Sequence, residues 1–322
     1  MERRSAATPR SMLFVPGDSE RKLDNARGAE ADALIVDLED AVDRSRKADA
    51  RALAAEFLRD ARDRAPAVWV RINPLDDPES RADLDAVLPA APDGLVLPKV
   101  RSADDVARLS TLLDALEPRV GTRAGSTAIL PITTETPAGV FALGRYAGAS
   151  PRLAMMTWGA EDLSAALGAE TAVDADGEWL PPYQLVRSLC LLAAADASVP
   201  AIDTVHTDFV DETRLLHQAL AAKRDGFAGK LAIHPAQVGA LNEIFTPSRE
   251  EIERARTVVA AFAAWPGAGV IRLDGRMLDR PHLVRARRVL ALAERLAGTG
   301  TDEFRTTGHG ERTIRSRAPS ED

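Results

Sequence analysis

The chain has 322 residues, 45% hydrophobic and 28% charged, which is the make-up of a globular protein with a large buried core. Lys and Arg total 41 against 49 Asp and Glu, a formal charge of −8; without a basic run, this excludes general nucleic-acid binding. No apolar stretch approaches the ~20 residues that span a bilayer, and the opening MERRSAATPR lacks the apolar core of a signal peptide. The single cysteine, Cys190, excludes an intramolecular disulfide and a cysteine zinc site. A cytoplasmic protein with neither a membrane nor a nucleic-acid partner is expected.

Short apolar runs recur along the chain, each closed by Gly, Pro or a charge. They are Ser11 to Gly17, Asp32 to Asp40, Ala67 to Pro74, Gly94 to Val100, Thr127 to Glu135, Arg152 to Gly159, Ala201 to Asp208 and Lys230 to Pro235. Nearly continuous apolar runs predict strands covered on both faces, as in a parallel sheet. Helical text separates them: Ser45 to Arg64, Asp104 to Leu116, Tyr183 to Ala197, and Asp211 to Arg224 with Gly226 as its stop. Eight strands with a helix after each predict a (β/α)8 TIM barrel over residues 11–246. A doubly wound sheet is the rival, but Gly17-Asp18-Ser19 is not its glycine fingerprint. Helical text at Ala236 to Ile244 and Pro247 to Ala264, a strand-like piece at Gly267 to Gly275 and a helix at Pro281 to Leu296 follow. The expectation is a C-terminal helical extension over 247–297 and a disordered tail over 298–322, where apolar content nearly vanishes.

The active site of such a barrel lies at the C-terminal ends of its strands. Those ends supply Asp18; Asp37, Glu39 and Asp40; Arg71 and Asn73; Lys99; Glu135; Glu161 and Asp162; His206 and Asp208; and His234. Asp37 and Arg71 sit inside apolar strand text, where an ionised group needs a partner. The carboxylates suggest a divalent cation of the Mg²⁺ type, held by few carboxylates plus water and substrate oxygens. Glu135 and Asp162 end adjacent strands and can share one ion, with Asp37, Glu39 and Asp40 near its waters. Arg71 suits a substrate carboxylate or an enolate oxygen, or simply pairs with Asp37 or Glu39. Cys190 and the Met155-Met156 pair read as packing; His206 reads as structural or substrate-tuning.

Ordered motifs carry a resemblance. SMLFVPGDSERKLDNA (Ser11 to Ala26), IVDLEDAV (Ile35 to Val42), VRIN (Val70 to Asn73), GLVLPKV (Gly94 to Val100) and ITTETPAGV (Ile132 to Val140) come first. WGAEDLSAALG (Trp158 to Gly168), DFVDETRL (Asp208 to Leu215), GFAGKLAIHPAQV (Gly226 to Val238) and MLDRPHLVRA (Met277 to Ala286) follow. Together they resemble the citrate lyase beta-subunit-like branch of the HpcH/HpaI aldolase/citrate lyase family. The resemblance implies a carbon–carbon lyase that uses Mg²⁺, with Mn²⁺ as a substitute, on CoA thioesters. Its products would be an acyl-CoA and a small 2-oxo acid. It implies metal ligands at Glu135 and Asp162, substrate binding at Arg71, and Asp37, Glu39 and Asp40 around the metal. Asp279 is implied to enter the site of a neighbouring subunit in a homotrimer or homohexamer. CoA contacts are implied around Arg21, Lys22, His234 and Pro235; Lys47, Arg51 and Lys230 are further cations available to CoA phosphates. Malyl-CoA thioesterase, malate synthase-like, citrate lyase complex and metal-dependent pyruvate aldolase readings stay open. The aldolase branch carries His after the acidic pair of strand two, where this chain has Ala41.

Overall fold

The computed structural model describes residues 8–61 and 66–299, and falls into two compact units, one ending at Thr246 and one beginning at Pro247. In the first unit, strands β1 (Ser11–Pro16), β2 (Ala33–Asp37), β3 (Ala67–Arg71), β4 (Gly94–Leu97), β5 (Ala128–Pro131), β6 (Met156–Thr157), β7 (Ala201–Asp203) and β8 (Gly229–Ala232) alternate with helices. The helices are α1 (Glu20–Arg27), α2 (Lys47–Ala61), α3 (Glu79–Val87), α4 (Ala103–Leu116), α5 (Pro137–Phe141), α6 (Glu161–Leu167), α7 (Pro181–Asp196), α8 (Glu212–Asp225) and α9 (Pro235–Phe245). The strands are parallel and ordered β5-β4-β3-β2-β1-β8-β7-β6. Parallel bridges Ile129–Leu153 and Ile132–Thr157 join β5 to β6 and close the ring. This is the expected TIM barrel.

Two apolar layers follow from the period-2 alternation of a strand. Met12, Ile35, Trp69, Val96, Leu130, Ile202 and Leu231 point inward and fill the barrel. Leu13, Leu34, Val36, Val68, Val70, Leu95 and Ile129 point outward under the helices. Trp69 pairs in register with Gly94, and a Cβ at Gly94 would lie 2.2 Å from the indole. The glycine is what lets the barrel hold so large a ring. The same alternation carries Asp37 and Arg71 to the inner face at the strand tops, where they are register partners.

The floor of the barrel is laced by ion pairs. Arg10 binds Asp32 through Nε at 2.8 Å and Nη2 at 2.7 Å, tying the starts of β1 and β2. Near the starts of β5 and β6, fully buried Glu117 accepts from Arg152 Nη1 at 2.8 Å and Nη2 at 2.7 Å. Burial alone would raise the Glu117 pKa, but Arg152 and the N–H groups of Thr127 and Gly125 outweigh it and hold the carboxyl below its ordinary range. Cys190 is buried in the outer layer, and burial pushes its thiol up to about 12.

In the second unit, α10 (Arg249–Ala264) starts from a capping box of Ser248 and Glu251. An antiparallel hairpin, β9 (Val270–Leu273) and β10 (Arg276–Asp279), leads into α11 (Arg280–Thr299). The strand-like piece expected at Gly267 to Gly275 holds β9 and the turn, and the chain after it adds β10. Its turn residues Asp274 and Gly275 both have positive φ, 47° and 77°, and Asp-Gly is the sequence signal for such a turn. α11 runs past the expected end of the extension at 297, and the tail beyond Thr299 lies outside the described residues.

Arg152→Met should lower the unfolding free energy at pH 7 by about 3–5 kcal/mol, because it strands a buried carboxylate. Glu117's contribution is present above its unfolded pKa, near 4.5, and lost as pH falls through its lowered folded value. The gap between variant and wild type, read by urea unfolding, should therefore shrink below about pH 4.5.

Candidate active site

The inward end of β2 and the loop after it form the base of the site. Asp37 is buried and accepts from Arg71 Nε at 2.8 Å and Nη2 at 2.5 Å, a two-pronged pair between adjacent strands. Its oxygens also take the backbone N–H groups of Glu39 (2.9 Å) and Ala41 (3.3 Å), which curls the loop over the strand end. Glu39, also buried, turns Oε2 to within 2.9 Å of Arg71 Nη1. That oxygen accepts no well-aligned hydrogen bond among the described residues. Three of the five N–H groups of Arg71 thus face Asp37 and Glu39, and its guanidinium carbon lies 5.0 Å from the centre of the Phe14 ring. The surrounding carboxylates raise the Arg71 pKa despite its burial, so it is a permanent cation.

Lys47 and Asn73 clamp this loop from beneath. The Lys47 ammonium donates to Leu38 O at 2.7 Å, Glu39 O at 2.8 Å and Asn73 Oδ1 at 2.8 Å. Asn73 Nδ2 donates to Leu38 O at 3.0 Å and to Asp83 Oδ2 at 2.7 Å, and Arg51 Nε holds the other oxygen of Asp83 at 2.8 Å. A buried network thus fixes the backbone that aims Glu39.

Glu135, just beyond β5, is 5% exposed. Oε2 accepts from the backbone N–H of Lys99. Burial, joined by the charges of Asp162 and Glu39 and only partly offset by Lys99 N–H and Arg71, pushes its carboxyl up to about 8. Gly159 makes room for it, since a Cβ there would meet Glu135 Cγ at 2.7 Å. Asp162, in the first turn of α6, is half-buried. Lys99 joins these groups: its ammonium contacts Glu39 Oε1, lies 2.9 Å from Asp40 Oδ2 and 3.4 Å from Asp162 Oδ1. Lys99 adopts a left-handed backbone, φ 52°, which is uncommon for a side chain of this size. Against burial, hydrogen bonds to Glu39 and Asp40 raise the Lys99 pKa; the ammonium in turn holds Asp40 below the ordinary range against burial, while burial raises Glu39.

The donor set suits a hard divalent cation. It is all oxygen, and Glu135 is a deeply buried carboxylate with one backbone donor among the described residues. Among the described residues, no group of three His, Cys, Asp or Glu side chains is placed to hold an ion by itself.

The structure brings Asp37, Glu39, Asp40, Arg71, Glu135 and Asp162 together. Arg21 and Lys22 are exposed on the first turn of α1. His234 is exposed, caps α9 by accepting from Ala236 N at 3.2 Å, and stacks on Phe209 with ring centres 5.1 Å apart; Pro235 opens that helix. Asp279 closes β10 in the second unit, with Oδ1 2.6 Å from His282 Nδ1. Three expected CoA cations are corrected. Lys230 is wholly buried, bound to Asp203 at 2.7 Å on the outer face of the barrel. Lys47 is the loop clamp, and Arg51 is held by Asp83 and Glu79. His206 is buried, with Nδ1 3.2 Å from Gln218 Oε1, and burial lowers its pKa ahead of repulsion from Lys230. Lysine is rare in this chain, but its rarity alone does not single out Lys47. Only five of the 41 basic residues are lysines, Lys22, Lys47, Lys99, Lys223 and Lys230, so lysine is spent sparingly where arginine abounds.

A closed parallel barrel with acidic residues and a paired arginine at its C-terminal mouth defines an α/β-barrel protein with its candidate site on the usual face. The chain belongs to the HpcH/HpaI aldolase/citrate lyase family, whose model matches residues 10–235. It is 36% identical over 289 residues to the citrate lyase subunit beta of Haemophilus influenzae, spanning 88% of this chain and 97% of that protein. To the (3S)-malyl-CoA thioesterase of Cereibacter sphaeroides it is 38% identical over 290 residues, 89% and 95% of the two chains. Among solved structures, the CitE protein of Mycobacterium tuberculosis in complex with magnesium, acetoacetate and coenzyme A matches with a TM-score of 0.71 and 33% identity. It covers 90% of this chain and 99% of that one. Among the described residues, no helix is long and apolar enough to cross a membrane.

Lys47→Met should lower the unfolding free energy by about 2–4 kcal/mol, since Asn73 Oδ1 loses its donor and Leu38 O and Glu39 O each lose a charged one. Hydrogen exchange at residues 38–41 should accelerate more than in the β1–β8 ladder. Uniform acceleration across the barrel would mean that Lys47 supports the whole fold rather than this loop.

Proposed function

We propose that this chain is a Mg²⁺-dependent CoA-ester lyase that cleaves a C–C bond of a 3-hydroxyacyl-CoA to give an acyl-CoA and a 2-oxo acid. The observation that carries the reading is the pairing of Glu135 and Asp162 with the Arg71–Asp37–Glu39 network at one barrel mouth. It is supported by 33% identity over 90% of the chain to a relative solved with magnesium, acetoacetate and coenzyme A.

Glu135 and Asp162 would hold the ion, with Glu39 and Asp40 beside its waters. When bound, Mg²⁺ polarises substrate oxygens and fixes their orientation. Asp37 keeps the Arg71 guanidinium in one plane at the mouth. The two N–H groups of Arg71 not turned to Asp37 or Glu39 are the donors for the oxyanion of the thioester enolate. In the cleavage direction a water held by Glu39 or Asp40 would take the substrate hydroxyl proton, that oxygen becomes the carbonyl of the 2-oxo acid, and the C–C electron pair passes to the α-carbon of the acyl-CoA as its enolate. The enolate carbon then takes a proton, and Asp279 of a neighbouring copy in a homotrimer or homohexamer is the proposed donor. CoA phosphates would meet Arg21 and Lys22, and the adenine or pantetheine the His234–Pro235 face, where the imidazole is already stacked on Phe209.

A second reading, thioester hydrolysis by the same site, is favoured by the 38% identity to a malyl-CoA thioesterase. The products separate the two. Purified protein with Mg²⁺ and malyl-, citramalyl-, methylmalyl- or citryl-CoA should release glyoxylate, pyruvate or oxaloacetate together with an acyl-CoA. Free CoA with a hydroxy acid and no 2-oxo acid would overturn the lyase in favour of the thioesterase. Glu135→Gln and Asp162→Asn should each cut Mg²⁺-dependent turnover by about 10³-fold or more. Asp279→Ala alone should be inactive yet still bind Mg²⁺. Mixed oligomers of Asp279→Ala with Arg71→Ala should regain part of the activity, and absence of recovery would rule out a site shared between chains.

A further inference from the structure

Lys99 touches more of the acidic cluster than any other described side chain named above. Its backbone N–H binds Glu135, and its ammonium binds Glu39 and Asp40 and lies 3.4 Å from Asp162. These are the carboxylates that would hold a divalent cation or its waters. Arg71 cannot take this place, since its guanidinium is tied to Asp37 and Glu39 at the other side of the loop. Lys99 is also built differently from Arg71. Arg71 is 12% exposed and fixed by a two-pronged pair, whereas the Lys99 side chain is 28% exposed and hangs on four flexible carbons from a left-handed backbone position. A compact charge on a mobile stem can occupy the centre of the cluster and can leave it; a fork pinned from below cannot.

We propose that Lys99 is a built-in counter-ion that binds the carboxylate ring in the metal-free protein and is expelled from it when the divalent cation binds. This rests on the metal reading of the site given above. The ammonium neutralises one charge among Glu39, Asp40 and Asp162, so the ring stays assembled without metal, at the cost of metal affinity, because the ion must displace a cation already in contact with its ligands. Mg²⁺ binding then carries a conformational consequence. The freed ammonium is delivered to the mouth of the barrel, where the anionic substrate enters, so cation and substrate binding are coupled through one side chain.

Two measurements test this. The first is Mg²⁺ titration by calorimetry of wild type, Lys99→Met and Lys99→Arg, with Lys22→Met as a control for general loss of positive charge. Lys99→Met should bind Mg²⁺ at least fivefold more tightly than wild type, and Lys22→Met should change affinity less than twofold. Lys99→Arg, which keeps a charge, should stay near wild type. In metal-free buffer Lys99→Met should melt below wild type, and saturating Mg²⁺ should close that gap. The second follows acylation of the wild-type lysines by an amine-reactive ester, read by peptide mass spectrometry. Mg²⁺ should speed modification of Lys99 severalfold and leave Lys22 and Lys223 unchanged. Equal or weaker Mg²⁺ binding by Lys99→Met, or a Lys99 acylation rate indifferent to Mg²⁺, overturns the proposal while leaving the metal site standing. Absence of Mg²⁺ binding in wild type as well as in Glu135→Gln overturns both.

Discussion

Five carboxylates, Asp37, Glu39, Asp40, Glu135 and Asp162, meet at one end of an apolar barrel, and the cations among them in the described residues are Arg71 and Lys99. That imbalance is the constraint on which the upper half of the molecule depends. An unpaired buried carboxylate costs several kcal/mol unless it takes a proton or gains a cation. Glu135 registers the strain, with its carboxyl pushed up to about 8 chiefly by burial. The neighbouring architecture contains the cost without removing it. Arg71 neutralises Asp37, the Lys47–Asn73–Asp83 network immobilises the loop that bears Glu39, and Gly159 leaves a slot for Glu135. The carboxylates of the mouth are thus held in place by the fold itself.

The opposite end of the barrel gives the contrast. Arg10 pairs with Asp32, and Arg152 with Glu117 and Asp114, so that charges there are met by opposite charges and by backbone donors. Glu117 is as buried as Glu135, yet its pKa is lowered where that of Glu135 is raised. The difference is a guanidinium in direct contact. The same residue type is thus neutralised at the floor and left without a cation in contact at the mouth, and the partner decides the direction of its pKa.

How far this was legible in the sequence follows from the same physics. Strand runs announce themselves because both faces are buried, and period 2 then sends Asp37 and Arg71 inward together. Glu135 and Asp162 were legible because carboxylates at the ends of neighbouring strands have one place to go. What was not legible depended on side-chain reach and on local backbone. Lys47 lies on a helix and reads as a surface cation, but its four-carbon stem turns the charge under the β2 loop. Lys230 lies on a strand whose alternation turns it outward, into the layer beneath the helices, where Asp203 holds it. Lys99 was visible as a charge at a strand end, but its role depends on a positive φ that no composition rule predicts for lysine. In the second unit the Asp274-Gly275 pair was a usable signal for the hairpin that ends at Asp279.

The position of Asp279 adds a final constraint. Within its own unit the carboxylate already has a partner, His282, one turn on in the chain. The imidazole Nδ1 lies 2.6 Å from the carboxylate and 3.2 Å from the Asp279 backbone nitrogen, so it holds the side chain in one orientation. The hairpin turn fixes the register of β10, so that Asp279 is its last residue and α11 begins at once. The Asp279 side chain is 40% exposed beside the His282 imidazole on the first turn of α11. The two units thus present different chemistry, a carboxylate beside an imidazole in one and cations among carboxylates at the barrel mouth in the other.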